Sequence, residues 1–85
     1  MNWIDVVGYS AGVLTAVTFL PQVIKTWKMK AAGELSFLMI ILVASSVSIW
    51  IIYGVMLNNN VIIVTNSVVL ILSLILIYFK LNYKE

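Results

Sequence analysis

Three long runs of apolar residues cover most of this 85-residue chain. They occupy residues 4–24, 35–57 and 61–79; the first run has one charged side chain, Asp5 near its start, and one amide, Gln22 near its end. A helix needs roughly 20 apolar residues to cross about 30 Å of hydrocarbon, so each run is long enough to span a membrane. The runs are too long for barrel strands. The pattern therefore predicts an all-α membrane protein with three transmembrane helices in a single domain.

Two short polar segments separate the runs and predict the turns. Residues 25–34 predict a looser connection that contains Gly33. Residues 58–60 are three consecutive asparagines, and Asn tolerates left-handed backbone and bonds to its own main chain. A tight reversal is expected there.

The composition excludes several classes of function. Hydrophobic residues make up 64% of the chain and charged residues only 9%, whereas a soluble domain of this size needs many more charges. The sequence has no histidine and no cysteine, so neither a metal or other cofactor nor an enzymatic nucleophile–base pair is expected. A net charge of +2 from scattered lysines does not indicate a nucleic-acid partner.

The lysines predict how the chain is oriented in the membrane. All five follow the first or the third run, and none lies near the N-terminus or in the triple-asparagine segment: they are Lys25, Lys28, Lys30, Lys80 and Lys84. Lysine-rich short loops stay in the cytoplasm, so we expect the N-terminus outside and the C-terminus inside. This bias predicts a multi-pass protein of the inner (plasma) membrane whose oligomers are parallel.

The only proline of the chain lies inside the first run. Pro21 removes one backbone donor and crowds the carbonyl of Val17, which loosens that turn. The pair Pro21–Gln22 is either a packing kink beside an interfacial amide or a hinge for a gate near one membrane face.

Gly8 and Gly12 form a G-x-x-x-G pattern in the same run. Small residues at this spacing let two helices approach closely. The pattern predicts that the first helix packs tightly against a neighbouring helix.

The second run carries a tryptophan well inside the membrane. Trp50 lies seven residues before Leu57, about 10 Å deep, and is either a packed aromatic or a flat platform for a ligand. One helix face holds Met39, Val43, Ser46, Trp50 and Tyr53. The opposite face, expected to contact lipid, holds Ile40, Ile41, Val47 and Ile51.

The third run carries an amide at a similar depth. Asn66 lies five residues after Val61, about 7–8 Å deep, where it serves either an interhelical hydrogen bond or a ligand. The C–H face of a sugar ring stacks on an indole, and its hydroxyls pair with an amide, so Asn66 and Trp50 together suit a sugar. The second and third runs contain no charge, which favours passive movement of a neutral solute over ion-coupled pumping.

The ordered motifs resemble those of the bacterial SemiSWEET sugar transporters of the PQ-loop superfamily. The resemblance covers essentially the whole chain and is carried by Pro21-Gln22 with Lys25 and Lys28, Gly33-Glu34-Leu35-Ser36, Trp50-x-x-Tyr53-Gly54, and Asn66. It implies a triple-helix bundle packed in the order one, three, two. It also implies a parallel homodimer around a pathway on a two-fold axis along the membrane normal, as in SWEET transporters.

The resemblance also implies roles for individual residues. Trp50 and Asn66 correspond to the substrate-binding pair, and Pro21 with Gln22 to the hinge motif. The remaining gate residues follow by the same correspondence: Phe19, Pro21 and Met39 at the cytoplasmic gate and Tyr53 at the outer gate. The expected function is sugar uniport of mono- or disaccharides by alternating access.

Two alternatives remain open from the sequence. A PQ-loop transporter of another small solute, such as an amino acid, keeps the fold but needs a charged pocket residue, which this chain lacks. A small holin-like pore former explains the size and the three spans, but it needs neither a deep Trp50 with Asn66 nor a Pro-Gln hinge.

Overall fold

The computed structural model describes residues 2–30, 33 and 36–83 and contains three helices. These are α1 (Trp3–Met29), α2 (Phe37–Leu57) and α3 (Asn60–Asn82). Each is long and apolar enough to cross a membrane. The prediction of an all-α protein with three membrane helices is confirmed. Most of the predicted looser turn (residues 31, 32 and 34), the start of the second span at residue 35, and Lys84 lie outside the described residues.

The first helix extends further than its apolar run. It continues without a break through Pro21 to Met29 and ends at Lys30, which has a left-handed backbone with φ 53°. At 1.5 Å per residue its 27 residues are about 40 Å long. The prediction that the connector begins at Lys25 is therefore wrong: Lys25 and Lys28 lie on the last turns of α1.

The triple-asparagine turn has the conformation that its composition predicts. Asn58 ends α2 with a left-handed backbone (φ 52°, ψ 42°), and its N–H donates to the carbonyls of the preceding turn. The side chain of Asn59 then caps α3 by accepting a hydrogen bond from the backbone N–H of Ile62 at 3.2 Å. One asparagine therefore ends a helix and the next begins another, so the reversal needs no further residues.

Helix α3 lies between the other two helices. It packs on α1 and on α2, which do not contact each other within the described part of the chain. A Cβ atom added to Gly8 would collide with Val61, and one added to Gly12 would lie 2.6 Å from the Cβ atom of Thr65. The G-x-x-x-G pattern thus packs α1 against α3, as predicted. The two contacts advance together along both chains, so α1 and α3 are parallel.

The α2–α3 contact corrects one prediction. Ile40, Val47 and Gly54 are buried in a single strip of α2, and a Cβ atom on Gly54 would lie 2.8 Å from Cγ2 of Ile62. Ile40 and Val47 belong to the face that was expected to contact lipid. They pack inside the chain instead, because hydropathy does not distinguish a lipid-facing isoleucine from one that packs on another helix.

The three helices form a single layer, with α3 between α1 and α2. The Cα positions extend 44 × 21 × 13 Å, whereas the Cα atoms of one helix span only about 4.6 Å across, so the helices are bent or tilted out of a flat plane. Buried side chains of α3 fill the centre of the layer: Val69, Ser73, Leu76 and Phe79. Because α1 and α2 do not contact each other within the described residues, one chain by itself does not enclose a solute.

Candidate functional site

Two aromatic rings lie together on an open face of α2. The ring of Tyr53 meets the indole of Trp50 edge to face, with centroids 5.5 Å apart and planes at 81°. Each side chain is 49% exposed. Because Tyr53 packs against one part of the indole while about half of Trp50 stays exposed, Trp50 is held in place and still offers an apolar surface.

The amide of Asn66 is half-buried on α3 and is oriented by its own helix. Its Nδ2 donates a hydrogen bond to the backbone carbonyl of Ile62 at 2.9 Å. Since a carbonyl can only accept, the nitrogen must be the atom that faces it, which fixes the orientation of the amide. The Oδ1 atom then remains an acceptor for another group.

Trp50 and Asn66 lie at the same level of the layer. Gly54 packs against Ile62, and α2 and α3 run in opposite directions. Trp50 lies four residues before Gly54 on α2, and Asn66 lies four residues after Ile62 on α3. The depth match inferred from the sequence thus agrees with the register of the packed helices.

Trp50 and Asn66 also lie on the same side of the layer. At about 100° per residue, Asn66 lies about 100° around α3 from Thr65, which contacts α1, and between Ile62 and Ile63, which both approach Gly54 of α2. Trp50 lies about 60° around α2 from the buried strip, turned towards the α1 side of the α2–α3 contact. An indole and an amide therefore border one open groove.

The remaining predicted gate residues are distributed over different surfaces. Phe19 is half-buried on the face of α1 that packs on α3, whereas Pro21 is exposed and lies about 200° away from it around the helix. Gln22 is exposed, and Met39 is 58% exposed near the start of α2. Within one chain, then, Phe19 and Pro21 are not brought to a common surface.

At the end of the molecule that carries the lysines, aromatic rings join α1 to α3. The Nζ atom of Lys30 lies 4.9 Å from the ring centroid of Trp27 and 5.8 Å from that of Tyr83. Tyr83 stacks on Phe79 with centroids 5.0 Å apart. The ammonium group of Lys30 thus connects the end of α1 with the end of α3 through cation–π contacts.

Sequence reasoning did not single out two polar residues of α1, Thr15 and Thr18. Both are exposed in a helix that is otherwise largely apolar. Together with Gln22 they are spaced three and four residues apart, which puts them on one helix face. This spacing is the sequence signal that could have identified Thr15 and Thr18.

The groove can bind a neutral solute but offers little to a charged one. It combines the flat apolar surface of Trp50 with the acceptor oxygen of Asn66, and the apolar runs that supply these residues carry no ionic side chain. A ring with an apolar C–H face and several hydroxyl groups matches both features.

Comparisons with known proteins agree with this geometry. The PQ loop repeat family matches residues 3–63. The sugar transporter SemiSWEET of Leptospira biflexa is 36% identical over 78 residues, covering 92% of this chain and 92% of that protein. An uncharacterized protein of Methanocaldococcus jannaschii is 37% identical over 79 residues, covering 93% of this chain and 85% of that protein.

A solved structure extends the likeness to three dimensions. The crystal structure of a bacterial homologue of SWEET transporters superimposes with a TM-score of 0.91 at 31% sequence identity, covering 98% of this chain and 100% of that one. With the family match, this likeness also excludes an enzyme, because the named relatives are transporters. The chain belongs to the PQ-loop family and, within it, to the SemiSWEET proteins.

Proposed function

We propose that this protein is a sugar uniporter that moves mono- or disaccharides across the membrane as a parallel homodimer. The observation that carries the proposal is that the half-exposed indole of Trp50 and the half-buried amide of Asn66 lie at one level of the α2–α3 contact. The names of the relatives, which include sugar transporters, support the same substrate class.

The arrangement of the helices supports the homodimer. A single row of three helices, in which α1 and α2 do not contact each other within the described residues, leaves the Trp50–Asn66 groove open on one side. A second copy, related by a two-fold axis along the membrane normal, closes the groove and supplies a second indole and a second amide. Two copies side by side have the same orientation, in agreement with the one-sided distribution of lysines.

Transport proceeds by alternating access around this central site. The sugar binds between the two Trp50 and two Asn66 side chains. The Tyr53 pair closes the outer side, aided by amide hydrogen bonds from the asparagine turn, because this turn carries no charges for an ionic latch. The inner side opens at Phe19 and Met39 as α1 bends near Pro21, with Gln22 at the aqueous boundary.

We further propose that the protein lies in the bacterial inner membrane with its N-terminus outside. The aromatic cluster at Trp27 and Tyr83 then lies at the cytoplasmic interface, together with the lysines. This position suits both residue types, since Trp and Tyr rings prefer the headgroup level and lysines of short loops stay in the cytoplasm.

Counterflow of labelled sugars in liposomes that contain only this protein tests the proposal. We expect glucose or sucrose to exchange, and Trp50→Ala or Asn66→Ala to abolish the exchange while dimer assembly remains intact. Ile49→Ala is the matched control, because Ile49 is adjacent to Trp50, is 67% exposed and lies on another face of α2. Normal exchange by both pocket variants would remove the assignment of the site.

The same liposomes distinguish the competing functions. An amino-acid transporter exchanges labelled lysine or another amino acid instead of sugar. A pore passes ions and dissipates an imposed membrane potential, whereas a sugar uniporter leaves the potential intact. Potential loss without saturable sugar exchange would contradict the proposal.

A further inference from the structure

A stripe of polar side chains runs along α1 on a face that the proposed sugar site does not include. Thr15 and Thr18 are both exposed, and Gln22 continues the stripe one turn further on. The Thr15 hydroxyl donates to the carbonyl of Ala11 at 3.1 Å, and the Thr18 hydroxyl donates to that of Leu14 at 2.9 Å. With its proton used in this way, each hydroxyl oxygen still has lone pairs that can accept a hydrogen bond.

This stripe lies beside the surface of α1 that packs on α3. Gly8, Gly12 and the buried Thr26 mark that packed surface. At about 100° per residue, Thr15 and Thr18 lie about 50–110° around the helix from it, turned against the direction in which the chain winds. On α2, Trp50 lies about 60° around the helix axis from the buried strip of Ile40, Val47 and Gly54. This rotation is also against the direction in which the chain winds.

Rotations of the same sense around these two helices point to one side of the layer. Helices α1 and α2 flank α3 and run in opposite directions. When both are viewed from the same membrane face, a turn of the same sense relative to each chain is clockwise on one helix and anticlockwise on the other. Thr15 and Thr18 therefore border the same groove as Trp50, from its opposite wall.

The register of the packed helices gives the depth of each hydroxyl. Gly12 lies level with Thr65 on the parallel helix α3, which puts Thr15 about two residues, or about 3 Å, further inward than Asn66. By the same register Thr18 lies about 7–8 Å inward. On the facing wall Ser46, which is also exposed, lies one turn inward of Trp50, about 6 Å away.

We propose that Thr15, Thr18 and Ser46 line the inner half of the solute pathway, where their hydroxyl groups accept hydrogen bonds from a polyhydroxylated solute leaving the Trp50–Asn66 level. The inference rests on the proposed function for the identity of the solute. These side chains form a row about 3–8 Å inward of the central site. There the hydroxyl groups of the solute replace hydrogen bonds to water with hydrogen bonds to the protein. A neutral solute then meets hydroxyl groups between the central site and the proposed inner gate at Phe19 and Met39.

Water accessibility tests the pathway without reference to any sugar. The natural sequence has no cysteine, so a single introduced thiol reports on one position. We expect Thr15→Cys and Thr18→Cys to react with a membrane-impermeant thiosulfonate much faster than Val17→Cys. Val17 is adjacent to Thr18 and 55% exposed, but it lies on the outer face of α1. Equal, slow reaction at all three positions would overturn the proposal even if the protein transports sugar.

Sugar counterflow then tests the role of the hydroxyls. Thr18→Val and Ser46→Ala remove one hydroxyl each, and we expect exchange of labelled glucose to fall about three- to tenfold, as the loss of about one hydrogen bond implies. Ser10→Ala and Ser48→Ala are the controls, because these hydroxyls make the same bond to the carbonyl four residues earlier but lie away from the groove.

The two experiments separate the possible failures. Fast thiol reaction at Thr18 with no exchange of any sugar would leave the pathway in place and remove the proposed sugar function. Normal glucose exchange by both Thr18→Val and Ser46→Ala would overturn the role of the hydroxyls while the proposed function stands. Equal losses in the groove variants and in the Ser10 and Ser48 controls would also overturn it, because the effect would then come from the helices and not from the groove.

Discussion

The phenol ring of Tyr53 holds the indole of Trp50 by its edge, with centroids 5.5 Å apart and planes at 81°. A residue proposed for the outer gate is thus in direct contact with the proposed sugar platform. When Tyr53 moves to open or close the gate, the support of the indole changes with it. Gate position and sugar affinity are therefore expected to depend on each other.

Replacing Tyr53 tests this contact. An edge-to-face pair contributes about 0.5–1.5 kcal/mol, so Tyr53→Leu is expected to raise the half-saturating sugar concentration about two- to tenfold. Tyr53→Phe retains the ring and is the matched control, with affinity close to that of the wild type. Counterflow at a series of sugar concentrations provides the measurement, and equal affinities for the Leu and Phe variants would contradict a positioning role for the ring.

The contact of Gly12 with Thr65 predicts a position that admits no side chain. A Cβ atom at residue 12 would lie 2.6 Å from the Cβ atom of Thr65, which forces α1 away from α3. We expect Gly12→Val to destabilise the protein by about 1–3 kcal/mol, measured as a lower Tm in detergent. Val13→Leu adds volume on the neighbouring exposed position and should leave Tm unchanged. Equal Tm values for the two variants would show that α1 is not packed in this way.

The left-handed backbone of Asn58 predicts a clear order among substitutions. At φ 52° and ψ 42° a β-branched residue is strained, so Asn58→Val is expected to cost about 1–2 kcal/mol. Asn58→Gly has no Cβ atom and should be close to neutral. Thermal unfolding in detergent measures both variants, and a Val variant as stable as the Gly variant would rule out this turn geometry.

Pro21 interrupts the hydrogen bonding of α1 without ending the helix. Pro21→Ala restores an N–H that can bond to the carbonyl of Val17, which stiffens the proposed hinge. We expect the maximal rate of counterflow to fall more than the sugar affinity does. Ser10→Ala serves as a control in the same helix, since Ser10 lies in an unbroken segment. Lost affinity with normal turnover would argue against a hinge at this position.

Sugar movement is expected to be independent of a proton gradient. The apolar runs at residues 35–57 and 61–79 contain no charged side chain, and the only acidic residue of the first run is Asp5, near its N-terminal end. With no carboxylate, lysine, arginine or histidine at the depth of the central site, a protonophore should leave initial uptake unchanged. Uptake that rises with an imposed inward proton gradient would contradict uniport and call for a relay elsewhere.

The sequence singles out Trp50 and Asn66 as candidate site residues, but it does not show what surrounds them. Trp50 and Asn66 stand out because an indole and an amide deep in an apolar run are costly unless they have a specific partner. Thr15 and Thr18 escaped notice, because a hydroxyl in a membrane helix bonds to its own backbone and so indicates no function by itself. Their relation to Trp50 depends on the register between helices, which no local pattern contains.

The sequence by itself determined three membrane helices, the asparagine reversal and the close approach at Gly8 and Gly12, since these follow from run length, backbone preference and side-chain size. Only the tertiary structure decided which faces are internal. Ile40 and Val47 pack within the chain although their face was expected to contact lipid. Lipid and protein interior are equally apolar, so hydropathy cannot distinguish them, and only the packing of α3 between α1 and α2 does so.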